Sequence, residues 1–292
     1  LMVGAYVERI RFFSVLFISA IWLFVVYVPV THWIWGGGFL FDKGILDFAG
    51  GLVVHTTAGV SALVIAILLG NREEFPNKVK PPHSPGLVMI GAAMLWVGWY
   101  GFNGGSALAA NANAGMAILV THIAAATASL TWMAIDWFKN GKPGLIGIVT
   151  GTIAGLATIT PASGFVDPQS GFIIGLLAGS ICYYFAGLIK NTFNIDDSLD
   201  VFAVHGIGGM LGTILVGFLA NESIGGTAGY FEGNSAQVVT QITGVVAVAI
   251  WSLVATAIIV LITKNIFGLR VSNKDAQDGL DITSHGERGY HL

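Results

Sequence analysis

Apolar and polar positions along this chain fall into long blocks, not short periods. Eight apolar runs stand out, at residues 10–29, 48–69, 87–108, 114–138, 145–160, 171–188, 201–220 and 238–267. A helix needs about 20 apolar residues to cross a bilayer core of about 30 Å, and most runs reach that length. They are too long for barrel strands, and most lack strict two-residue alternation. The expected fold class is therefore all-α, a polytopic membrane helix bundle with eight spans.

Composition supports that class. Charged residues make up 10% of the chain and hydrophobic residues 54%, with a mean hydropathy of +0.77. Soluble domains carry about 25% charged residues, so the chain reads as a polytopic membrane protein, with no nucleic-acid partner expected. The net charge of -3 says little about partners, because the charges sit between the runs. Their distribution says more. Arg9, Arg11, Arg72, Lys78, Lys80, Lys139, Lys142, Lys190, Lys264, Arg270, Lys274 and Arg288 fall on one set of loops, and only Lys43 on the other. Positive charge gathers on the cytoplasmic side. Both ends of the chain are therefore expected in the cytoplasm, as eight crossings require. The one cysteine, Cys182, lies in an apolar run and reads as a packing residue. The chain opens on Leu1 and enters its first run within about ten residues, so it reads as a piece of a longer protein.

Two runs carry the same rare pattern. Asp47 precedes His55 by eight residues and Gly59 follows by four; Asp197, His205 and Gly209 repeat that spacing. Charge alternation makes these two spans run in opposite directions. An inverted-topology repeat follows, with a site between the halves. The second motif span is the fifth of spans three to seven, so spans one and two match the last two of an earlier five. The expectation is an eleven-span parent, of which eight spans are seen. Residues 1–70 would close the first repeat, 71–220 form the second, 221–268 the final long span and 269–292 a polar cytoplasmic tail.

An intramembrane histidine is costly and marks a functional site by default. Packing, a metal site and a conduction pathway are the three readings. Zinc needs three or four ligands, and an aspartate eight residues away stands about 12 Å along the same helix. No metal or cofactor is expected, and Asp47 and Asp197 read as helix-entry residues. A neutral imidazole both donates and accepts a hydrogen bond, so two of them can line a narrow lumen and pass a small solute or a proton. In the third span Trp99 and Phe102 share a helical face, and Ser106 lies near its outer end. Aromatic faces attract cations. Trp33 and Trp35 sit before Gly36-Gly37-Gly38, where interfacial anchoring is the plainer reading. Gly171, Gly175 and Gly179 form a helix-packing face.

The stretches Asp47-Phe48-Ala49-Gly50-Gly51-Leu52-Val53-Val54-His55, Trp99-Tyr100-Gly101-Phe102-Asn103-Gly104-Gly105-Ser106, Thr160-Pro161-Ala162 and Asp200-Val201-Phe202-Ala203-Val204-His205-Gly206 resemble the ammonium transporter family (Amt/Mep/Rh), most closely its bacterial Amt members. The tail pieces Gly268-Leu269-Arg270-Val271 and Ser284-His285-Gly286-Glu287 resemble it too. The resemblance implies ammonium or ammonia transport for nitrogen uptake, possible methylammonium passage, and a homotrimer with one pore per subunit in the cell (inner or plasma) membrane. His55 and His205 match the twin pore histidines. Phe102 matches one of the gate phenylalanines, Trp99 a pore-wall tryptophan, and Thr160 a polar residue near the channel. Trp35 and Ser106 match the outer recruitment site, and Asp47 the structural signature aspartate; Asp197 and Asp200 are read as structural. The tail matches a segment that couples subunits and meets a PII-type regulatory protein.

Two other functions compete. A membrane ammonium sensor would signal through the tail, yet only 25 residues follow Phe267. A membrane hydrolase would need a Ser or Cys nucleophile paired with a base, and none is evident, so no enzyme activity is expected.

Overall fold

The computed structural model describes residues 1–290. After a short 3-10 turn at Met2–Ala5 come α1 (Phe12–Trp22), α2 (Val28–Trp35) and α3 (Phe39–Asp42). Then follow α4 (Thr57–Leu69), α5 (Pro85–Gly105), α6 (Ala112–Asn140), α7 (Leu145–Ile159) and α8 (Pro168–Gly187). The chain continues through α9 (Gly208–Leu219), α10 (Glu222–Gly225) and the long α11 (Ala236–Phe267), ending in α12 (Asn273–Asp278) and α13 (Leu280–His285). Among the described residues there are no strands, only an isolated bridge between Ile10 and Arg270. The protein is an all-helical membrane bundle.

Among the described residues, seven helical stretches are long and apolar enough to cross a membrane. The expected fifth span is α7, a helix of 15 residues. It spans about 22 Å at 1.5 Å per residue, short of a full crossing. It packs against α5, α6, α8 and α9, and its residues from Val149 to Ile159 are largely buried, so it does not depend on lipid for its surroundings.

The first run also departs from expectation. The sequence places its end at Pro29, but helix continues to Trp35. A proline inside a helix removes one N–H and frees the carbonyl four residues back. A π-turn at Leu23–Tyr27 precedes Pro29, and the freed carbonyl of Val25 accepts the indole N–H of Trp251 at 3.0 Å. The chain thereby supplies from α11 the donor that Pro29 lacks.

Small residues bring helices together as the spacing predicts. A Cβ on Gly175 would lie 2.5 Å from the Ala124 carbonyl, and one on Gly179 2.8 Å from the Ala128 carbonyl, so α8 lies backbone to backbone on α6.

Both chain ends meet at the basic end of the bundle. Arg9 is fully buried, contrary to its reading as a loop cation. Its guanidinium donates to the carbonyls of Gly70 (3.0 Å), Ala5 (3.2 Å) and Asp196 (2.5 Å) and to Ser198 Oγ (2.8 Å). Burial pulls its pKa down to about 10, with Asp196 opposing, so it stays charged at neutral pH. Arg72 makes a bidentate pair with Asp196, Nε to Oδ2 at 2.9 Å and Nη2 to Oδ1 at 2.8 Å. Arg270 donates to the Asn71 carbonyl at 2.7 Å. The tail folds back on the same end: Asn273 and Gln277 both donate to the Glu73 carboxylate, and Tyr290 Oη lies 3.1 Å from His83 Nδ1.

Candidate functional site

Asp47 begins the site. Its two carboxylate oxygens accept four backbone N–H groups: Gly50 at 2.9 Å, Gly51 at 2.5 Å, Leu52 at 2.8 Å and Val53 at 3.1 Å. These are the free donors at a helix start, and a carboxylate there also suits the helix dipole. Gly50, at φ 117°, makes the turn that lets one side chain reach all four. Past this cap the backbone runs as a π-helix over Gly51–Thr56 before becoming α4, and His55 sits on that π-turn.

The second half is built alike but held more lightly. Asp197 Oδ2 accepts Phe202 N–H at 2.7 Å, while Oδ1, also buried, has no protein partner. Asp200, at φ 57°, pairs through Oδ2 with Lys190 Nζ at 2.8 Å. A π-helix at Phe202–Ile207 carries His205.

The two histidines meet. His55 Nδ1 and His205 Nδ1 are 3.2 Å apart, with ring centroids at 5.2 Å and planes 19° apart. Across this bond one nitrogen donates and the other accepts. His55 is 1% exposed and His205 8%. Trp99 stacks on His55, with ring centroids 5.4 Å apart and planes 16° apart. Phe102 closes against both, 6.3 Å from His55 and 5.7 Å from Trp99.

The glycines of the repeated pattern make this meeting possible. A Cβ on Gly59 would fall 2.2 Å from Gly206 N, and one on Gly209 2.5 Å from the Gly51 carbonyl and 2.8 Å from His55 Cβ. Each motif glycine thus receives the histidine-bearing turn of the opposite half. The Asp-x7-His-x3-Gly spacing was visible in the chain, and this contact is its physical reason.

The remaining candidates are placed less uniformly. Thr160 is fully buried and bonded to Trp99: it accepts the indole N–H at 2.9 Å and donates to the Leu156 carbonyl at 2.8 Å. Trp35 donates its indole N–H to the Asp47 carbonyl at 2.8 Å and leaves its ring 42% exposed. Ser106 turns back on its own helix, donating to the Phe102 carbonyl at 2.9 Å. The structure therefore gathers His55, His205, Trp99, Phe102 and Thr160 into one cluster, and ties Trp35 to Asp47. Sequence reading did not single out Arg9, Asp196 or Thr56. Only the cost of burying an arginine could have flagged the first, and no local signal marks the others.

The fold and site define a polytopic membrane helix bundle that encloses an ionisable pair at the crossing of two matched helices. The chain belongs to the Ammonium Transporter Family, whose model matches residues 1–290. It is similar to the ammonium transporter of Aquifex aeolicus, 45% identical over 295 residues and covering 100% of this chain and 68% of the relative. It is also similar to ammonium transporter Amt1 of Archaeoglobus fulgidus, 47% identical over 290 residues, covering 99% and 74%. Among solved structures, Saccharomyces cerevisiae Mep2 superposes with a TM-score of 0.87 at 38% identity, covering 93% of this chain and 63% of that one. A protein described as a sensor Amt protein superposes with a TM-score of 0.89 at 32% identity, covering 96% and 72%.

Proposed function

We propose that this chain forms the histidine-lined part of an ammonium or ammonia pathway across a cell membrane. One observation carries the reading: two imidazoles joined Nδ1 to Nδ1 at 3.2 Å, buried among apolar side chains. A hydrated metal ion crossing such a wall would lose its water shell without compensation. A small solute that can leave a proton behind avoids that cost, and the imidazoles offer it both a donor and an acceptor. The half-exposed rings of Trp35 and Phe102 offer faces to an arriving cation, with Ser106 at the C-terminal end of α5 as a polar contact. In this reading ammonium is held there as the cation, gives up its proton to water at the mouth on entry, and passes the histidines as ammonia. The working unit is a homotrimer in the lipid bilayer, the basic end faces the cytoplasm, and the tail there meets neighbouring subunits and a PII-type regulatory protein.

The test is ammonium-evoked flux in lipid vesicles. Parent protein should conduct ammonium and exclude potassium. His55→Asp with His205→Asp, which puts carboxylates in place of imidazoles, should change that selectivity. Unchanged selectivity in the double variant would remove the histidines from the pathway.

A further inference from the structure

Both histidines ride on π-helical turns, Gly51–Thr56 and Phe202–Ile207. A π-turn holds one residue more than an α-turn, so it swings every side chain beyond it by about 100° relative to a regular helix. With both turns in place, the Nδ1 atoms of His55 and His205 lie 3.2 Å apart. In an apolar bundle a widened turn persists when its backbone groups keep their partners.

In the first half a side chain reinforces the turn. Thr56 is fully buried, and its Oγ1 donates to the Gly51 carbonyl at 2.8 Å, five residues back, the same interval that a π-bond spans. The backbone bond from His55 N to the Gly50 carbonyl, at 2.9 Å, runs beside it. Thr57 Oγ1 then donates to the Val53 carbonyl at 2.6 Å as the regular helix resumes. The Gly51 carbonyl is also the group that Gly209 packs against, so the Thr56 bond is made at the crossing of the two halves. In the second half the residue after the histidine is Gly206, which has no hydroxyl to give and is covered by Gly59. The reinforcement is one-sided.

We infer that Thr56 is a positioning residue for the paired histidines: its hydroxyl holds the π-turn that aims His55 at His205. The inference rests on the histidine-pathway reading, and its test separates the two. Thr56→Val removes the hydroxyl at similar volume, which is not a silent change in a buried site. Thr56→Ser keeps the hydroxyl and drops a methyl. Each protein is labelled with ¹⁵N-histidine and placed in vesicles. Solid-state NMR reads the bond between the two Nδ1 atoms, and ammonium flux is measured per folded molecule on the same vesicles.

Thr56→Val is expected to lose the Nδ1–Nδ1 signature and to cut maximal flux by about ten-fold, as small misplacements at a working site do. The half-saturating ammonium concentration should stay put, since Trp35, Phe102 and Ser106 are untouched. Thr56→Ser should restore both readouts to within about two-fold of the parent. An intact signature in Thr56→Val, or a Thr56→Ser variant that behaves like the valine, overturns the role. If Thr56→Val does not fold, Thr56→Ala carries the same readouts. A parent that shows the bond and no flux refutes the transport reading, and the NMR arm still decides Thr56.

Discussion

The two histidines sit in unequal surroundings. His55 Nε2 is buried without a protein partner, while His205 keeps a small opening. His55 is held in place by what stacks on it, which is why Thr160 matters at a distance. Thr160→Val would strand the buried Trp99 indole N–H, at a cost of about 1–3 kcal/mol. The expected outcome is a lower unfolding temperature together with slower ammonium flux, measured on one vesicle preparation; full flux would show that Trp99 keeps its place unaided. Gly209→Ala tests the crossing itself. Its methyl would meet the Gly51 carbonyl and His55 Cβ, and overpacking of this kind costs about 1–3 kcal/mol. Thermal unfolding should show the loss, whereas Gly86→Ala, with no atom near its Cβ, should be silent.

At the scale of the element, the first span shows a helix surviving a break in its own hydrogen-bond ladder. Pro29 cannot donate to Val25, and Trp251 donates instead. Trp251→Phe should therefore lower the melting temperature of the solubilised protein, because the Val25 carbonyl loses its partner. Pro29→Ala in the same background restores a backbone N–H and should recover part of that loss. Equal losses in the single and double variants would mean that the tryptophan stabilises by packing alone. The repeated π-turns belong to this scale too. Among the described residues they occur at Leu23–Tyr27, Gly51–Thr56, Leu188–Thr192 and Phe202–Ile207, and the second and fourth carry the histidines. No periodicity in the apolar runs announces them, since one extra residue hardly alters a pattern that is apolar on every face.

Across the whole molecule, the basic end ties four distant segments together: residues before α1, the exit of α4, the approach to α9 and the tail. Asp196 sits at their centre. Burial raises its pKa, but the hydrogen bonds and charge of Arg72, together with Arg9, outweigh that and leave it below the usual 3.8. A depressed carboxylate stabilises the folded state above its unfolded pKa, and that contribution disappears as pH falls through the lower folded value. The parent should therefore lose stability on acidification below about pH 4, the ordinary carboxylate range. Asp196→Asn should be less stable at neutral pH and should lack that part of the acid response. A variant that melts like the parent at both pH values would show that Arg72 and Arg9 hold the segments without the carboxylate.

Membrane class, helical architecture and the two histidines were legible in the chain because each rests on a local property. Long apolar blocks, scarce charge and an Asp-x7-His-x3-Gly spacing repeated 150 residues apart can all be read without a neighbour. The same holds for Asp47, whose capping role follows from its place ahead of a helix. What the chain could not reveal depends on groups far apart in sequence arriving at one point. That Arg9 is buried, that Trp251 donates to the Val25 carbonyl left free by Pro29, and that Thr160 accepts the Trp99 indole N–H are all facts about partners. So is the meeting of His55 with His205. Matched spacing places each at the same depth of its own helix, but only the close approach at Gly59 and Gly209 brings the rings within hydrogen-bond distance. The sequence determined which residues were costly to bury; the tertiary structure decided what satisfies them.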